Sequence, residues 1–153
     1  MTGASLKIIG IILMKTSDLL RHQLIKNLIA EQPTENVADA TIHMWEQMAT
    51  QIISIVGEDG FNSLYARSIF LSQSKFPWLA ASQFPPKIDH RFAGLKTSLG
   101  EKMPTQAGEA NALLMITFTD ILASLIGEQL TTRILHLAWS THISNSTGKE
   151  FQE

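Results

Sequence analysis

Five histidines and one carboxylate set in an apolar run are the residues of this chain whose chemistry has to be weighed first. His22, His43, His90, His136 and His142 are its imidazoles. None is spaced as H-x3-H or H-E-x-x-H, the patterns that place two ligands on one helix face. The sequence holds no cysteine, which excludes disulfides, thiolate metal sites and a cysteine nucleophile together. No metal and no cofactor are therefore expected. A haem-binding helical fold needs a single axial histidine, which His43 or His136 could supply, but the simpler place for either is the margin of a core. No serine lies in a G-x-S-x-G elbow or a lysine-paired context, and no glycine-rich phosphate loop occurs. No catalytic residue is assigned, and a non-enzymatic role is expected.

Asp120 interrupts Phe118-Thr119-Asp120-Ile121-Leu122, the most apolar run of the chain. A buried carboxylate must be paired or protonated. Arg67 and Arg133, each in the helix that follows a Gly-Glu corner, are its natural partners, so a structural ion pair that docks two parts of the fold is expected. Trp45, Trp78, Met48 and Phe118 are the candidates to line a ligand pocket or partner groove, although aromatic and methionine residues at helical spacing also make ordinary core.

The remaining motif runs from His90 to Gly100. His90, Phe92, Gly94, Leu99 and Gly100 follow the offsets of H-x-L-K-G-x4-[LI]-G, and the segment partly resembles the phosphorylatable-histidine segment of histidine phosphotransfer domains. The resemblance covers 11 residues and implies a helical bundle with His90 as phosphoryl acceptor. Phe92 stands in place of the leucine. Ala93 stands where the family has a lysine, which removes the charge that would favour a phosphoryl group.

The elements that must position these groups repeat. Ile52-Ile53-Ser54-Ile55-Val56-Gly57-Glu58 is echoed by Leu122-Ala123-Ser124-Leu125-Ile126-Gly127-Glu128, about 70 positions on. Apolar residues at a 3.6 period predict helices over 17–32, 36–56, 58–75, 105–126 and 128–140. Thr34 and Thr105 are expected as N-caps, and Gly57 and Gly127 as left-handed helix ends. A further short helix follows Asp89 and carries Phe92, Leu95 and Leu99, and the proline-containing stretch 76–86 connects the halves. The expected fold is all-α: a six-helix bundle of two pseudo-equivalent three-helix halves with the long helices at the centre. Its core is expected to hold Trp45, Met48, Ile52, Leu64, Leu114, Phe118, Ile121 and Leu125.

Composition bounds the rest. A chain of 153 residues with 44% apolar and 17% charged residues is globular and long enough for one core. A net charge of −2 with scattered lysines and arginines gives no footprint for nucleic acid or anionic lipid. The sparse charge favours a protein partner or a homodimer. Lys7 precedes an apolar run, Ile8 to Met14, that superficially resembles a signal-peptide core. The run is short, far from membrane-spanning length, and lacks a small-residue cleavage site. A start at Met14 is the plainer reading. The expected organisation is an extension over 1–16, one helical domain over 17–140 and a flexible tail over 141–153. The expected protein is a cytoplasmic interaction or regulatory domain, an accessory of bacterial-type signalling, with no membrane span. A phosphorelay domain using His90, or a small-ligand or haem sensor with a pocket between the long helices, are the alternatives.

Overall fold

A computed structural model describes residues 18–82 and 91–140. Every regular element among them is helical and no strand occurs, as the periodicity predicts. Helix α1 covers residues 18–30, and it buries Ile25 and Leu28. Pro33 follows, and a 3₁₀ turn at Thr34–Asn36 leads into α2, Val37–Ser72. A second 3₁₀ segment, Pro77–Ser82, precedes α3 (Ala93–Gly100), α4 (Pro104–Ile126) and α5 (Glu128–Ala138).

Two glycines shape the chain. Gly57 interrupts α2 with φ 82° and ψ 169°, and Gly127 separates α4 from α5 with φ 95° and ψ 152°. This region of backbone space is essentially reserved for glycine, so both corners depend on residue type. α2 thus consists of two arms, where the sequence predicts two helices. Its second arm ends at Ser72 rather than at Lys75, because Ser72 O accepts from the N–H groups of Lys75 and Phe76 and turns the chain toward Pro77. Thr105 does not cap α4: the helix begins one residue earlier, at Pro104, which needs no N–H partner in the first turn. No side-chain hydrogen bond caps the start of α2 either.

α2 and α4 form the principal packing pair, α5 lies against both, and α3 lies against α2, α4 and the Pro77–Ser82 segment. Trp45 sits at the centre with no exposed surface. Its ring meets Tyr65 and Phe118 edge-on, each at 5.5 Å between centroids, and lies 5.8 Å from Phe92. Such aromatic pairs add about 0.5–1.5 kcal/mol each beyond the area they bury. The indole N–H of Trp45 donates to Asn111 Oδ1 at 2.8 Å, and that of Trp139 donates to Met44 O at 3.0 Å, so both buried tryptophans are satisfied.

The core corrects the sequence reading at two positions. Trp45, Met48, Ile52, Leu64, Leu114 and Phe118 are buried, but Ile121 is half-buried and Leu125 is 67% exposed. The inward face of α4 passes through Phe118, Thr119 and Leu122. The next residue packed against the core is Ile126, which leaves Leu125 on the outside. Ile55 and Val56 divide the same way before Gly57.

Burial recurs with a fixed offset. Thr41 and Asn111, 70 positions apart, are both buried. So are Met44 and Leu114, Met48 and Phe118, Ile52 and Leu122, Phe61 and Thr131, and Tyr65 and Leu135, each pair at the same separation. α4 is also long and apolar enough, by length and composition, to cross a membrane. Its buried face packs on α2 and α5, and a helix packed against others is apolar for that reason too.

Candidate functional site

The densest polar constellation is built on Arg21. α1 places this side chain against the corner between α4 and α5, where it is only 1% exposed. Its Nε donates to Glu128 Oε2 at 2.8 Å and one terminal nitrogen donates to Thr119 Oγ1 at 2.7 Å. The other terminal nitrogen reaches Glu128 Oε1 at 3.1 Å, Asp18 Oδ1 at 3.2 Å and Asp120 Oδ1 at 2.7 Å. His22 Nε2 lies 2.7 Å from the same Asp120 oxygen. Burial works against the guanidinium charge, but the hydrogen bonds to Glu128 and Asp120 outweigh it and raise the pKa further.

The carboxylates divide by environment. Burial pushes Glu128 up, yet hydrogen bonds from Arg21, Asp18 and Thr132 hold it below its ordinary range. Asp18 is raised, chiefly because it hydrogen-bonds Glu128, with burial adding to the shift. The contacts between them thus displace Asp18 and Glu128 in opposite directions. All the donors of the fork that face the cluster are engaged, so the arrangement is a structural clamp joining α1 to the α4–α5 corner.

The predicted partners of Asp120 need correction. Neither Arg67 nor Arg133 reaches it: the Arg67 guanidinium lies over the Phe70 ring at 5.9 Å, and Arg133 is exposed on α5. Asp120 is itself 44% exposed. Helical rotation turns Thr119 inward and carries Asp120 toward α1, so apolar neighbours in sequence did not mean burial in space. The residue that sequence reasoning missed is Arg21, and a signal for it existed. Arg21 and Arg91 are 70 positions apart, as are Glu58 and Glu128, and Arg91 pairs with Glu58 as Arg21 pairs with Glu128. The Arg91 guanidinium also lies 5.4 Å from the Phe61 ring centroid.

The other sequence candidates are dispersed. Trp45, Met48 and Phe118 are fully buried core residues, and Trp78 is half-buried on the Pro77–Ser82 segment beneath the Lys102 ammonium, 5.2 Å from its ring. These four line none of the open clefts described below. His90 lies outside the described residues. Phe92, Leu95 and Leu99 of the same string are buried, and a side chain at Gly94 would come within 2.7 Å of Ala81 O, so the glycine serves the close approach of α3 to the connector. Among the described residues no group of three His, Asp or Glu is arranged to hold a metal.

Open clefts among the described residues include three. A cleft of about 670 Å³ lies between α1, the start of α2 and α4, with Lys26, Ile29, Val37, Glu109, Leu113 and Ile116 among its walls. A second, of about 430 Å³, is bordered by Asp39, Lys96, Leu99 and Ala107. Residues of the two correspond at the 70-residue offset: Lys26 with Lys96, Ile29 with Leu99, Val37 with Ala107 and Glu109 with Asp39. Lys96 Nζ meets Asp39 Oδ1 at 2.9 Å in the smaller cleft. The third hollow, of about 590 Å³, runs between α1 and α5 and is lined by Leu20, Arg21, Leu24, Glu128, Thr132 and His136 among others. Comparison of the chain with protein families, with curated proteins and with solved structures found no match.

Proposed function

We propose that this chain is a non-enzymatic helical domain that works by protein–protein contact, with a second copy of itself as the first partner to test. The observation that carries this reading is the apolar exposure on α1 and α5. Leu19, Leu20 and Leu137 are each more than half exposed, and Leu130 is also exposed. Leu20 borders the hollow that separates the two helices. Large exposed apolar side chains gathered on two helices that flank one hollow make a surface of the kind that marks contact sites. The polar cluster beside them is consumed in fixing α1 to the corner. Its groups hold one another, the His22–Asp120 contact included. A cytoplasmic setting is what the absence of cysteine favours, and the sparse charge favours a protein partner.

Two pseudo-equivalent halves belong to the same proposal. The recurrence of buried positions, the two positive-φ glycines and the paired corner contacts Arg21–Glu128 and Arg91–Glu58 all support it. In this reading α1 and the turn before α3 each clasp the corner of the other half, and the hydropathy of α4 is that of a central helix rather than of a membrane span.

Sedimentation velocity over a wide concentration range tests the contact. The wild-type chain should form a dimer that Leu20→Glu combined with Leu137→Glu dissociates without loss of helical circular dichroism. A chain that stays monomeric at every concentration, or a dimer indifferent to both charges, would refute self-association through this face.

A further inference from the structure

The cleft between α1, the start of α2 and α4 has the makings of a small-molecule site. Its volume of about 670 Å³ lies within the roughly 300–1,000 Å³ of such sites. Its walls include Ile29, Val37, Leu113 and Ile116, each half-buried. Lys26 and Lys75 are exposed on its border, facing one carboxylate, Glu109.

The smaller, corresponding cleft shows what a neutralised version looks like. There Lys96 is paired with Asp39 at 2.9 Å, and the surrounding cavity is reduced to about 430 Å³. In the larger cleft the equivalent lysine and acid are Lys26 and Glu109. The ion pairs among the described residues include neither of them, nor Lys75. Among the described lining residues, two ammonium groups against one carboxylate leave a net positive charge beside an apolar wall. The first turn of α4, at Pro104 and Thr105, borders the same cleft. It carries no acidic residue and no side-chain cap, so its N-terminal partial charge reinforces the preference for an anion.

We propose that this cleft binds an amphipathic monoanion, an unbranched apolar chain ending in a carboxylate, with the chain along Ile29, Leu113 and Ile116 and the head group toward Lys26 and Lys75. A free inorganic anion gains nothing from the apolar lining. The site is independent of self-association through α1 and α5, since a monomeric chain would bind the anion equally.

Isothermal titration calorimetry of the full chain with decanoate, and in parallel with uncharged 1-decanol, provides the test. Decanoate should bind once per chain with a Kd on the order of 10 μM, the affinity open to a ligand of this size. Lys26→Glu should weaken decanoate by roughly tenfold or more, the usual effect of losing a charge-assisted contact, and leave decanol within about threefold. Ala112→Trp, which fills the cleft between α1 and α4, should abolish both. Because Lys26 is exposed, its substitution decides the question even if Ala112→Trp does not fold. The proposal is overturned if the wild-type chain shows no saturable decanoate binding, if Lys26→Glu binds decanoate as the wild type does, or if two equivalent sites are found per chain. Binding of an amphipathic helical peptide in the absence of decanoate binding would likewise overturn it, and would reassign the cleft to a protein partner.

Discussion

Replacing Arg21 by alanine is the perturbation whose outcome depends most directly on the geometry. The side chain is 1% exposed and engages Glu128, Asp18, Asp120 and Thr119. Its loss leaves three carboxylates facing one another without a cation. Removing one member of a buried ion pair costs roughly 3–5 kcal/mol. Here the carboxylates are 24–50% exposed and can regain water, so the lower end, about 3 kcal/mol, is expected for Arg21→Ala. For a domain of this size that corresponds to a fall in Tm of roughly 6–12 °C. Arg91→Ala is the internal control. Its partner Glu58 is 48% exposed, and exposed pairs contribute about 0–1 kcal/mol, with the face contact to Phe61 adding roughly 0.5–1 kcal/mol. Urea unfolding followed by circular dichroism measures both. If Arg21→Ala costs less than about 1 kcal/mol, or no more than Arg91→Ala, then Arg21 is not the desolvated centre of a clamp and the reasoning fails.

Three further outcomes follow from the same structure. Gly57→Ala and Gly127→Ala should each destabilise by roughly 1–3 kcal/mol through backbone strain alone, because no atom lies within 4 Å of either added methyl; a neutral result at either corner in thermal melts would contradict its positive φ. Leu114→Ala should cost about 2–5 kcal/mol as a core truncation, whereas Leu125→Ala, at a position 67% exposed, should cost under about 0.5 kcal/mol; equal losses in urea melts would show that Leu125 is buried. The pH dependence should carry two opposite signs. Glu128 lies below its ordinary value of 4.5, so its contribution is present above pH 4.5 and is lost as pH falls through the depressed pKa. Asp18 lies above its ordinary 3.8, so its contribution is present below pH 3.8 and is lost as pH rises through the raised pKa. Asp18→Asn should therefore leave stability at neutral pH unchanged or improved and steepen no acid transition, and a clear loss of Tm at pH 7 would contradict the raised pKa.

Helix type and order were legible in this sequence because the 3.6 period is strong and because glycine and proline mark the ends. Gly57 and Gly127 could be read as corners, since a left-handed backbone there admits little else. What could not be read was rotation about a helix axis by a single residue. Asp120 and Leu125 both sit in apolar surroundings in the sequence, yet 100° of turn separates each from an inward neighbour, Thr119 or Ile126. The same rotation hid Arg21, whose partners lie about a hundred positions away at the start of α5 and the end of α4. The Trp45, Met48 and Phe118 stripe was legible as buried but not as closed, because whether a stripe becomes core or groove depends on what the opposing helix fills. The open cleft instead formed from residues with no motif at all, such as Ile29, Gly108 and Leu113.

The proposal that α1 and α5 meet a protein partner is tested most directly by amide hydrogen exchange of the full chain at two concentrations, one dilute and one well above the dimer dissociation constant. Protection should rise with concentration in residues 18–24 and 128–138 and remain unchanged along the buried face of α4. Exchange that is independent of concentration across α1 and α5, or protection that rises on a different surface, would contradict the account.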